Sequence, residues 1–467
     1  MNFNFKRKKK GRFTYLYVSL KEHKKFDLLS LTRRNPTKYP YFLESSSSGN
    51  SSNRSSIMFY SPKIMLQKPK GDDSNFFNEL NELWKKNTME QKDIFHENFK
   101  IPFFGGWFVY LGYEMVKEIE RKLNIPESPY LLPDAFASRV NTAIIFDNVE
   151  KNLFIVTDKF KDCEKDFDDI LNDIRSIDEE VINASEKGSI EIISKGSSKE
   201  HQEQVKSCID YIYQGEIFQA NLSRLWNFKI SDKISDVEIY KQLRKTNPSP
   251  FSGLVKFKDS TIISSSPERL ISINNKHLQT RPIAGTRPRG ASGILDIQLS
   301  NELINSDKEK AEHLMLVDLE RNDISRVCKP GTVKVDEMMS IESYAHVHHI
   351  VSNICGELKE KIYPADVIKA VFPGGTITGC PKVRCMEILG ELEKEGRGPY
   401  TGSIGYLTHS GNMDFNILIR TMLLEKNKLY FRAGGGIVAD SIPQNETLET
   451  EAKANGMLKA VGTFIND

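Results

Sequence analysis

The sequence is poor in cysteine and has no long apolar segment. Its six cysteines in 467 residues form no CxxC pair and are too sparse for a disulfide-built domain. Free thiols and a cytoplasmic location are therefore expected. No apolar run reaches the roughly 18 residues of a membrane-spanning helix, so no membrane association is expected. The basic start, MNFNFKRKKKGR, is not followed by an apolar segment and does not resemble a secretory signal.

The chain also lacks a marked excess of charge of either sign. Lysine and arginine total 65 and aspartate and glutamate total 63, which gives a formal charge of +2. Six of the basic residues lie within residues 6–12, so the rest of the chain is slightly acidic. A nucleic-acid-binding surface over the whole protein is therefore not expected. We predict that the basic segment is a solvated, frayed terminus; an arm for RNA or a membrane is the alternative.

Several common catalytic motifs are absent. The sequence has no GxxxxGK[ST] phosphate loop, no GxGxxG after a strand and no GxSxG nucleophile elbow. Neither a dinucleotide site nor a serine hydrolase is supported. Cys380 and Cys385 lie near helix-forming sequence, but no histidine is specifically paired with either of them, so cysteine-based hydrolysis is not supported.

The secondary-structure signals come in batches of strands and helices, which favours an α+β fold with antiparallel sheets. Residues 45–56 are serine-rich and predict a flexible surface loop between two strands. Residues 143–157 predict a β-hairpin. Residues 189–200 lack clear periodicity, and we interpret them as the seam between an N-terminal region, residues 1–188, and a catalytic region, residues 198–467.

Two short acidic segments give the first chemical signal. Glu309 and Glu312 are three residues apart, as are Glu446 and Glu449, and Lys453 follows four residues later. An i, i+3 spacing places both carboxylates on one face of a helix. Two such faces meeting across a cleft would offer the hard oxygen ligands that Mg²⁺ prefers. Ordinary solvated helix faces are the alternative that spacing alone leaves open.

Three glycine-containing stretches give the second signal. They are residues 283–286 (IAGT), 373–379 (PGGTITG) and 433–436 (AGGG). Glycine lets backbone N–H groups approach an anion closely. With cations such as Arg420 and Lys382, such stretches would suit a small polyanionic ligand, for example a dicarboxylate. Turns and bulges without a ligand are the alternative for each stretch taken alone.

Two acid–base candidates complete the chemical inventory. Glu268 follows an apolar strand and a proline, where a carboxyl group in apolar surroundings can keep its proton and act as a general acid. A solvated turn carboxylate is the alternative. His348 and His349 are flanked by apolar residues, so we expect one of the two imidazoles to face inward.

Ten sequence blocks, taken in this order, closely resemble the chorismate-utilising enzymes. That family includes anthranilate synthase component I, aminodeoxychorismate synthase component I, isochorismate synthase and salicylate synthase. The resemblance runs from about residue 198 to the end and is weaker before it. The blocks are FQANLSR (218–224), SSPE (265–268), RPIAGTRPRG (281–290), EKAEHLMLVDLERND (309–323), HVHHIVSN (346–353), FPGGTITGCPKVRCMEIL (372–389), YTGSIGY (400–406), IRT (419–421), AGGGIVADS (433–441) and ETLETEAKA (446–454).

The resemblance implies a fold and a set of roles. The expected fold is a sandwich of two large antiparallel sheets with helices between and around them, completed by the N-terminal region. Glu312 and Glu449 would bind Mg²⁺, with Glu309 and Glu446 beside them. Chorismate would be bound by Tyr400, Arg420, Gly435, Gly436 and Lys453 at its carboxylates, and by Ala284, Gly285, Thr286 and Thr376 around its ring. Glu268 would be the general acid for the departing C4 hydroxyl, and His349 would lie near the ring.

Two positions bear on which reaction is catalysed. In the relatives that add water, the position of Gln219 resembles a lysine that activates the water. A neutral amide cannot act as that base, so the sequence favours an aminating member. Ala284 stands where aminodeoxychorismate synthases often carry a nucleophilic lysine (PIKGT), which favours anthranilate. PGGTITGCPK, QANLSR and GGWFVYLGYE instead resemble aminodeoxychorismate synthases. On this balance the sequence favours aminodeoxychorismate synthase component I, with anthranilate synthase component I as the alternative and a non-catalytic binding relative as a third.

The resemblance also implies a partner. The sequence contains no glutaminase domain, so ammonia is expected from a separate glutamine amidotransferase subunit. YPYFLES at residues 39–45 partly matches the LLES element of the tryptophan pocket in anthranilate synthases. Whether a feedback inhibitor binds there is left open by the sequence.

Overall fold

The computed structural model describes most of the chain as strands and helices, which are numbered here in chain order. The described residues are 5–10, 13–21, 26–46, 55–87, 101–159, 163–179, 188–344 and 347–464. Their strands are β1 Lys6–Lys10, β2 Phe13–Ser19, β3 Tyr41–Glu44, β4 Ser55–Tyr60, β5 Lys63–Lys68, β6 Gly106–Leu111, β7 Ala135–Val140, β8 Thr142–Asp147, β9 Asn152–Thr157, β10 Ile190–Ser194, β11 Gln219–Ile230, β12 Phe251–Phe257, β13 Ser260–Ser266, β14 Arg269–Asn274, β15 His277–Thr280, β16 Ile283–Pro288, β17 Lys334–Ser343, β18 Val347–Glu357, β19 Gly379–Cys380, β20 Ser403–Thr408, β21 Met413–Asn416, β22 Thr421–Glu425 and β23 Lys428–Ile437.

The helices lie mostly in the second half of the sequence. They are α1 Leu29–Arg34, α2 Phe76–Lys86, α3 Val116–Ile119, α4 Cys163–Arg175, α5 Ser198–Tyr213, α6 Asp236–Thr246, α7 Gly293–Asn305, α8 Asp307–Ser325, α9 Pro364–Val371, α10 Lys382–Glu393 and α11 Pro443–Gly462, with short 3₁₀ turns at Tyr113–Met115, Ser176–Glu179 and Gly375–Ile377. Among the helices of the described residues, none combines the length and apolarity needed to cross a membrane.

Two large antiparallel sheets form the framework. Over the described residues, the larger has 13 strands in the order β1-β2-β9-β8-β4-β3-β12-β13-β22-β23-β11-β10, with β19 also paired to β11. The smaller has 10 strands in the order β16-β18-β15-β14-β21-β20-β6-β7-β5, with β17 also paired to β18. Each strand pairing is antiparallel. The predicted α+β fold with two large antiparallel sheets is confirmed.

Both sheets draw strands from the two ends of the sequence. In the larger sheet β3 pairs with β12, and in the smaller sheet β6 pairs with β20. The apolar cores are mixed in the same way, since buried Phe42 and Met58 share a cluster with Leu254 and Met457. Removing these side chains from water is the main force that joins the strands. The early strands are therefore structural parts of the framework that carries the later ones.

One expectation about local structure is wrong. The basic segment at residues 6–10 is not frayed but forms β1, an edge strand paired with β2. There Arg7 lies 2.5 Å from Glu164, and Lys8 lies over the ring of Tyr17 at 5.1 Å. Lysines on an edge strand discourage further strands from adding to the sheet. The seam expected at residues 189–200 holds β10, which pairs with β11.

The remaining local predictions can be compared with the structure element by element. The hairpin predicted over residues 143–157 is formed by β8 and β9. The loop predicted at residues 45–56 separates β3 from β4, but residues 47–54 lie outside the described part of the chain.

Candidate active site

The candidate site is built on the glycine run of β23, next to β11 in the larger sheet. Asn221 of β11 is paired with Gly436, and Leu222 with Gly435. A Cβ atom on Gly436 would lie 2.1 Å from Gln219 Nε2 and 3.3 Å from Glu312 Oε1, so only glycine fits beneath these groups. Gln219 Nε2 donates a 2.7 Å hydrogen bond to Glu312 Oε1.

The second acidic segment reaches the neighbouring glycine. A Cβ atom on Gly435 would lie 3.3 Å from Glu449 Oε1 and 3.5 Å from Glu446 Oε2. These two carboxylates come from α11, whereas Glu312 comes from α8. The two acidic helix faces predicted from spacing therefore approach adjacent glycines of one strand, and the charge of Glu449 acts on Glu312.

The carboxylates at this place repel one another. Burial raises the pKa of Glu312, and the neighbouring Glu309 and Glu449 raise it further, while the Gln219 hydrogen bond acts in the opposite direction. Burial likewise raises the pKa of Glu446, with Glu449 adding to the rise. Ser441 donates a 2.7 Å hydrogen bond to Glu446 Oε1, but Glu446 Oε2 is buried without a hydrogen-bond partner. Such a cluster favours the arrival of a cation.

The residues present fit a divalent cation that is shared with a ligand. Among the described residues, no group of three or more His, Cys, Asp or Glu side chains is arranged to hold a metal ion by itself. Mg²⁺ is commonly bound by one or two carboxylates and keeps several positions for water and substrate oxygens. The carboxylates of Glu312 and Glu449, together with the unpartnered Glu446 oxygen, match that donor set.

Cationic and hydroxyl groups border the same surface. Lys453 Nζ lies 2.6 Å from Glu449 Oε1, one helical turn away on α11. The buried guanidinium of Arg420 donates to the Lys453 carbonyl oxygen, and burial lowers the Arg420 pKa. A Cβ atom on Gly434 would lie 2.8 Å from Tyr400 Oη, which places this hydroxyl beside the glycine run. The predicted carboxylate-binding residues are thus brought together.

Glu268 is the buried acid of the site. It follows β13 and is only 5% exposed. Burial raises its pKa to about 8, and the charge of Glu320 adds to the rise. The Thr376 hydroxyl, the Ile283 N–H and Lys453 lower its pKa and so partly offset these effects. At neutral pH Glu268 therefore carries a proton, as a general acid requires.

The strand pair β16–β18 supplies the histidine side of the site. Thr286 is paired with His349, and its Oγ1 lies 3.0 Å from His349 Nδ1. Burial lowers the pKa of His349 to about 4, with the charge of Arg420 acting in the same direction, so the imidazole is neutral. His348 is buried as well and lies within hydrogen-bonding distance of Ser343, so both imidazoles face inward, where the sequence predicts this of one.

A bulge at Gly285 connects this strand pair with the acidic helices. Gly285 has a φ of +61°, and a Cβ atom there would lie 2.8 Å from Glu309 Oε2. Glu309 is also paired with Arg287 at 3.2 Å. Ala284, next to the bulge, is buried and paired with Ile350. Because its side chain is a methyl group, Ala284 cannot act as an amine nucleophile in this part of the site.

Two buried groups near the site were not predicted from the sequence. Glu320 lies eight residues after Glu312 on α8, and that helical spacing was the available signal. Arg397 forms a doubly bonded pair with Glu393 at 2.8 Å, and its guanidinium lies 5.6 Å from the Tyr400 ring centre. Lys382, considered earlier as an anion-binding cation, instead donates to Asp323 and to a backbone carbonyl.

Comparison with known proteins identifies the family. The family model for chorismate binding enzymes matches residues 29–459 of this chain. The chain belongs to the chorismate-binding enzyme family. An anthranilate synthase component I-like protein of Synechocystis sp. is 41% identical over 364 residues, which cover 77% of this chain and 73% of that protein. Anthranilate synthase component 1 of Aquifex aeolicus is 36% identical over 468 residues, 96% of this chain and 91% of the relative.

Other relatives extend this picture of a chorismate-utilising enzyme. Aminodeoxychorismate synthase component 1 of Bacillus subtilis is 40% identical over 371 residues, 78% of each chain. The crystal structure of anthranilate synthase component I from Streptococcus pneumoniae has a TM-score of 0.75 at 32% identity and covers 88% of this chain and 93% of its own. The menaquinone-specific isochorismate synthase of Escherichia coli, at 15% identity and a TM-score of 0.72, shares the fold over 98% of this chain and 95% of its own.

Proposed function

We propose that this chorismate-binding enzyme is an anthranilate synthase component I. It converts chorismate and ammonia into anthranilate, pyruvate and water. The observation that carries the proposal is Ala284, which is buried beside Gly285 where a lysine nucleophile would be needed to direct nitrogen to C4. Most of the relatives compared are named anthranilate synthase component 1, which supports this alternative over the aminodeoxychorismate synthase favoured by the sequence blocks.

The protein groups divide the chemistry between them. Ammonia attacks C2 of the ring with its own lone pair, so the neutral amide of Gln219 is not required as a base. Glu268, with a pKa of about 8, gives its proton to the hydroxyl that leaves C4 as water. Loss of the C2 proton and of the enolpyruvyl group as pyruvate then leaves the aromatic amine. His349 stays neutral beside Thr286 and adds no positive charge near the ring.

The substrate is a dianion, and the site offers matching groups. Arg420, Lys453 and the Tyr400 hydroxyl supply cationic and donor contacts near the glycine run. Mg²⁺, when bound, would supply positive charge that neutralises carboxylate charge. Glu312 and Glu449 would hold it, with Glu309 and Glu446 nearby. Without a cation, the negative charges of these side chains oppose binding of the substrate.

Ammonia comes from a separate amidotransferase subunit in this proposal. The relatives are named component 1, which supports a second component for each of them. The proposal therefore predicts that the isolated chain uses ammonium salts and does not use glutamine. Adding the matching amidotransferase subunit restores glutamine-dependent turnover.

Aminodeoxychorismate synthase component I is the second candidate. The Bacillus subtilis relative of that name is 40% identical, which is as similar as the anthranilate synthases compared. The PGGTITGCPK block, which places Thr376 beside Glu268, resembles the aminodeoxychorismate synthase version. In that reaction ammonia replaces the C4 hydroxyl, and the enolpyruvyl group is kept.

One experiment separates the two reactions. Purified protein is incubated with chorismate, Mg²⁺ and ¹⁵N-ammonium, and the products are identified by mass spectrometry. The proposal predicts ¹⁵N-anthranilate and an equal amount of pyruvate. A parallel sample with aminodeoxychorismate lyase is the control: para-aminobenzoate formed only with the lyase supports the second candidate. If chorismate is not consumed in either sample, with or without the lyase, both reactions are contradicted.

A further inference from the structure

Glu320 is a buried carboxylate whose charge raises the pKa of the acid Glu268. It projects from α8 and is 3% exposed. Its Oε1 accepts a 3.1 Å hydrogen bond from the Gly375 N–H, and its Oε2 accepts one of 3.1 Å from Thr280 Oγ1. A Cβ atom on Gly375 would lie 3.3 Å from Glu320 Oε1, so the turn is packed closely against the carboxylate.

These two hydrogen bonds involve residues close in sequence to groups that surround Glu268. Gly375 is followed by Thr376, which is near enough to Glu268 to lower its pKa, although the Thr376 hydroxyl itself has no hydrogen-bond partner among the described residues. Thr280 also donates to the Leu270 carbonyl oxygen at 3.1 Å, on the strand that begins directly after Glu268. Glu320 thus links the 3₁₀ turn, β15 and β14 around the acid. Without it, the buried Gly375 N–H would lose its acceptor, which is costly away from water, and Thr280 would keep only the Leu270 carbonyl oxygen.

The charges around this pair come from several elements. Burial raises the pKa of Glu320 to about 7; Asp323 adds to the rise and Lys382 opposes it. Lys382 of α10 donates to Asp323 of α8, and Arg326 pairs with Asp323 at 2.7 Å. On the side of Glu268, the charged neighbours are Glu320 and Lys453.

We propose that Glu320 is a positioning residue for the reaction, which holds the turn and strands around Glu268 and whose negative charge disfavours a second charge on that acid. This role rests on the proposed use of Glu268 as the proton donor. Glu320 acts through Gly375, Thr280 and the electrostatic field, and it does not touch the substrate.

The charge can be removed with little change in shape by Glu320→Gln. The amide oxygen still accepts from Gly375, but the charge that raises the pKa of Glu268 is gone. Because the acid must be protonated, activity falls as pH rises through its pKa. The alkaline limb of chorismate consumption therefore moves towards lower pH by about one pH unit, the usual size of a close charge effect. An unmoved limb overturns the electrostatic part of the proposal.

Two further variants separate position from charge. Thr280→Val removes the hydrogen bonds from Thr280 Oγ1 to Glu320 and to the Leu270 carbonyl oxygen but keeps the charge of Glu320, so its alkaline limb stays where the wild-type limb lies. Glu320→Asp keeps the charge on a shorter side chain that cannot serve Gly375 and Thr280 together. Its kcat falls at least about tenfold while the limb stays in place, because the acid is misplaced rather than deprotonated. Wild-type kcat in Glu320→Asp overturns the positioning role, even if Glu320→Gln does not fold.

The quantity measured in this test does not depend on which product is formed. Consumption of chorismate is followed, and it occurs whether anthranilate or aminodeoxychorismate is formed. A wild-type protein that consumes no chorismate contradicts the proposed function. A wild-type protein that consumes it, with Glu320→Gln and Glu320→Asp indistinguishable from wild type in pH profile and kcat, contradicts the role of Glu320 alone.

Discussion

Glu312 and Glu449 lie over adjacent glycines of one strand, Gly436 and Gly435, although they belong to different helices. The carboxylate of each lies 3.3 Å from where a Cβ atom of its glycine would be. Glu312 is partly buried, whereas Glu449 is exposed and already lies 2.6 Å from Lys453 Nζ. The charge of Glu449 still raises the pKa of Glu312, and a bound Mg²⁺ would offset this repulsion.

Glu449→Gln is expected to reduce Mg²⁺-dependent chorismate consumption at least about 100-fold, since loss of a direct ligand exceeds the 10–100-fold effects of the residues that surround one. Turnover is measured over a series of Mg²⁺ concentrations, and excess metal does not restore the wild-type rate. Glu451→Gln on the same helix is the matched control, because Glu451 pairs with Arg224 and is not among the groups nearest Gly435 and Gly436. Full activity in Glu449→Gln refutes the metal assignment.

Glu268→Gln is expected to abolish turnover and to stabilise the protein at alkaline pH. The folded-state pKa of about 8 lies above the ordinary glutamate value, so folding opposes ionisation of this group. The contribution of Glu268 to the free energy of unfolding is therefore fully present at low pH. It is lost as the pH rises from about 4.5 to about 8, and it is not regained at higher pH. The variant lacks this loss, and its Tm exceeds that of the wild type by a few degrees at pH 8. Calorimetry at pH 5 and pH 8 checks this; an equal difference at both pH values argues against a raised pKa.

Ala284→Lys is expected to lower anthranilate formation at least about tenfold. The long side chain enters the part of the site beside Gly285, where the structure has only a buried methyl group, and overpacking of this kind costs about 1–3 kcal/mol. Product analysis by mass spectrometry measures it. Ala284→Ser is the control for a small polar addition at this position and keeps most of the activity. Unchanged anthranilate formation by Ala284→Lys removes the main support for direct attack by ammonia.

The spacing of the acidic residues predicts which carboxylates share a helix face, but it does not reveal what lies opposite. Glu312 and Glu449 meet because α8 and α11 both approach β23, and that depends on the strand order of the larger sheet. The hydrogen bond from Gln219 to Glu312 likewise joins β11 to α8. Such contacts between distant segments have no local signature in a single sequence.

The burial of certain charged side chains was also not predicted from the sequence. Glu320 and Arg397 are charged residues in helix-forming or loop sequence, where a solvated side chain is the ordinary expectation. Gly375, which donates to Glu320, is distant in sequence; Glu393, the partner of Arg397, is only four residues away, but the burial of this pair is not evident from the sequence. The lysines of residues 6–10 show the reverse case: an exposed basic segment forms a strand because β2 offers a free edge.

Arg397→Met is expected to destabilise the protein by about 3–5 kcal/mol, because it leaves the buried Glu393 charge without its doubly bonded partner. It is also expected to raise the KM for chorismate, since Tyr400 loses the guanidinium that packs near its ring. Urea unfolding and steady-state kinetics measure the two effects. Lys276→Met is the control: its exposed pair with Glu360 contributes about 0–1 kcal/mol. Equal stability losses in both variants contradict the importance of the buried pair.

Deleting residues 1–12 removes β1, which lies at the opposite end of the larger sheet from β11 and β23. Turnover with ammonium is therefore expected to stay within about twofold of wild type, whereas the exposed edge of β2 increases the tendency to aggregate. Kinetics and light scattering follow the two properties. A large loss of kcat in the soluble deletion variant would assign the basic strand a part in the reaction.

The central claim is that one divalent cation is held between Glu312 and Glu449 beside Glu268, and it is tested most directly by diffraction. Crystals grown with Mn²⁺ in place of Mg²⁺ and with anthranilate are measured near the manganese absorption edge. The account predicts one strong anomalous peak within bonding distance of both carboxylates, on the side facing the glycine run of β23. A peak at another place, or its absence at saturating Mn²⁺, contradicts the account.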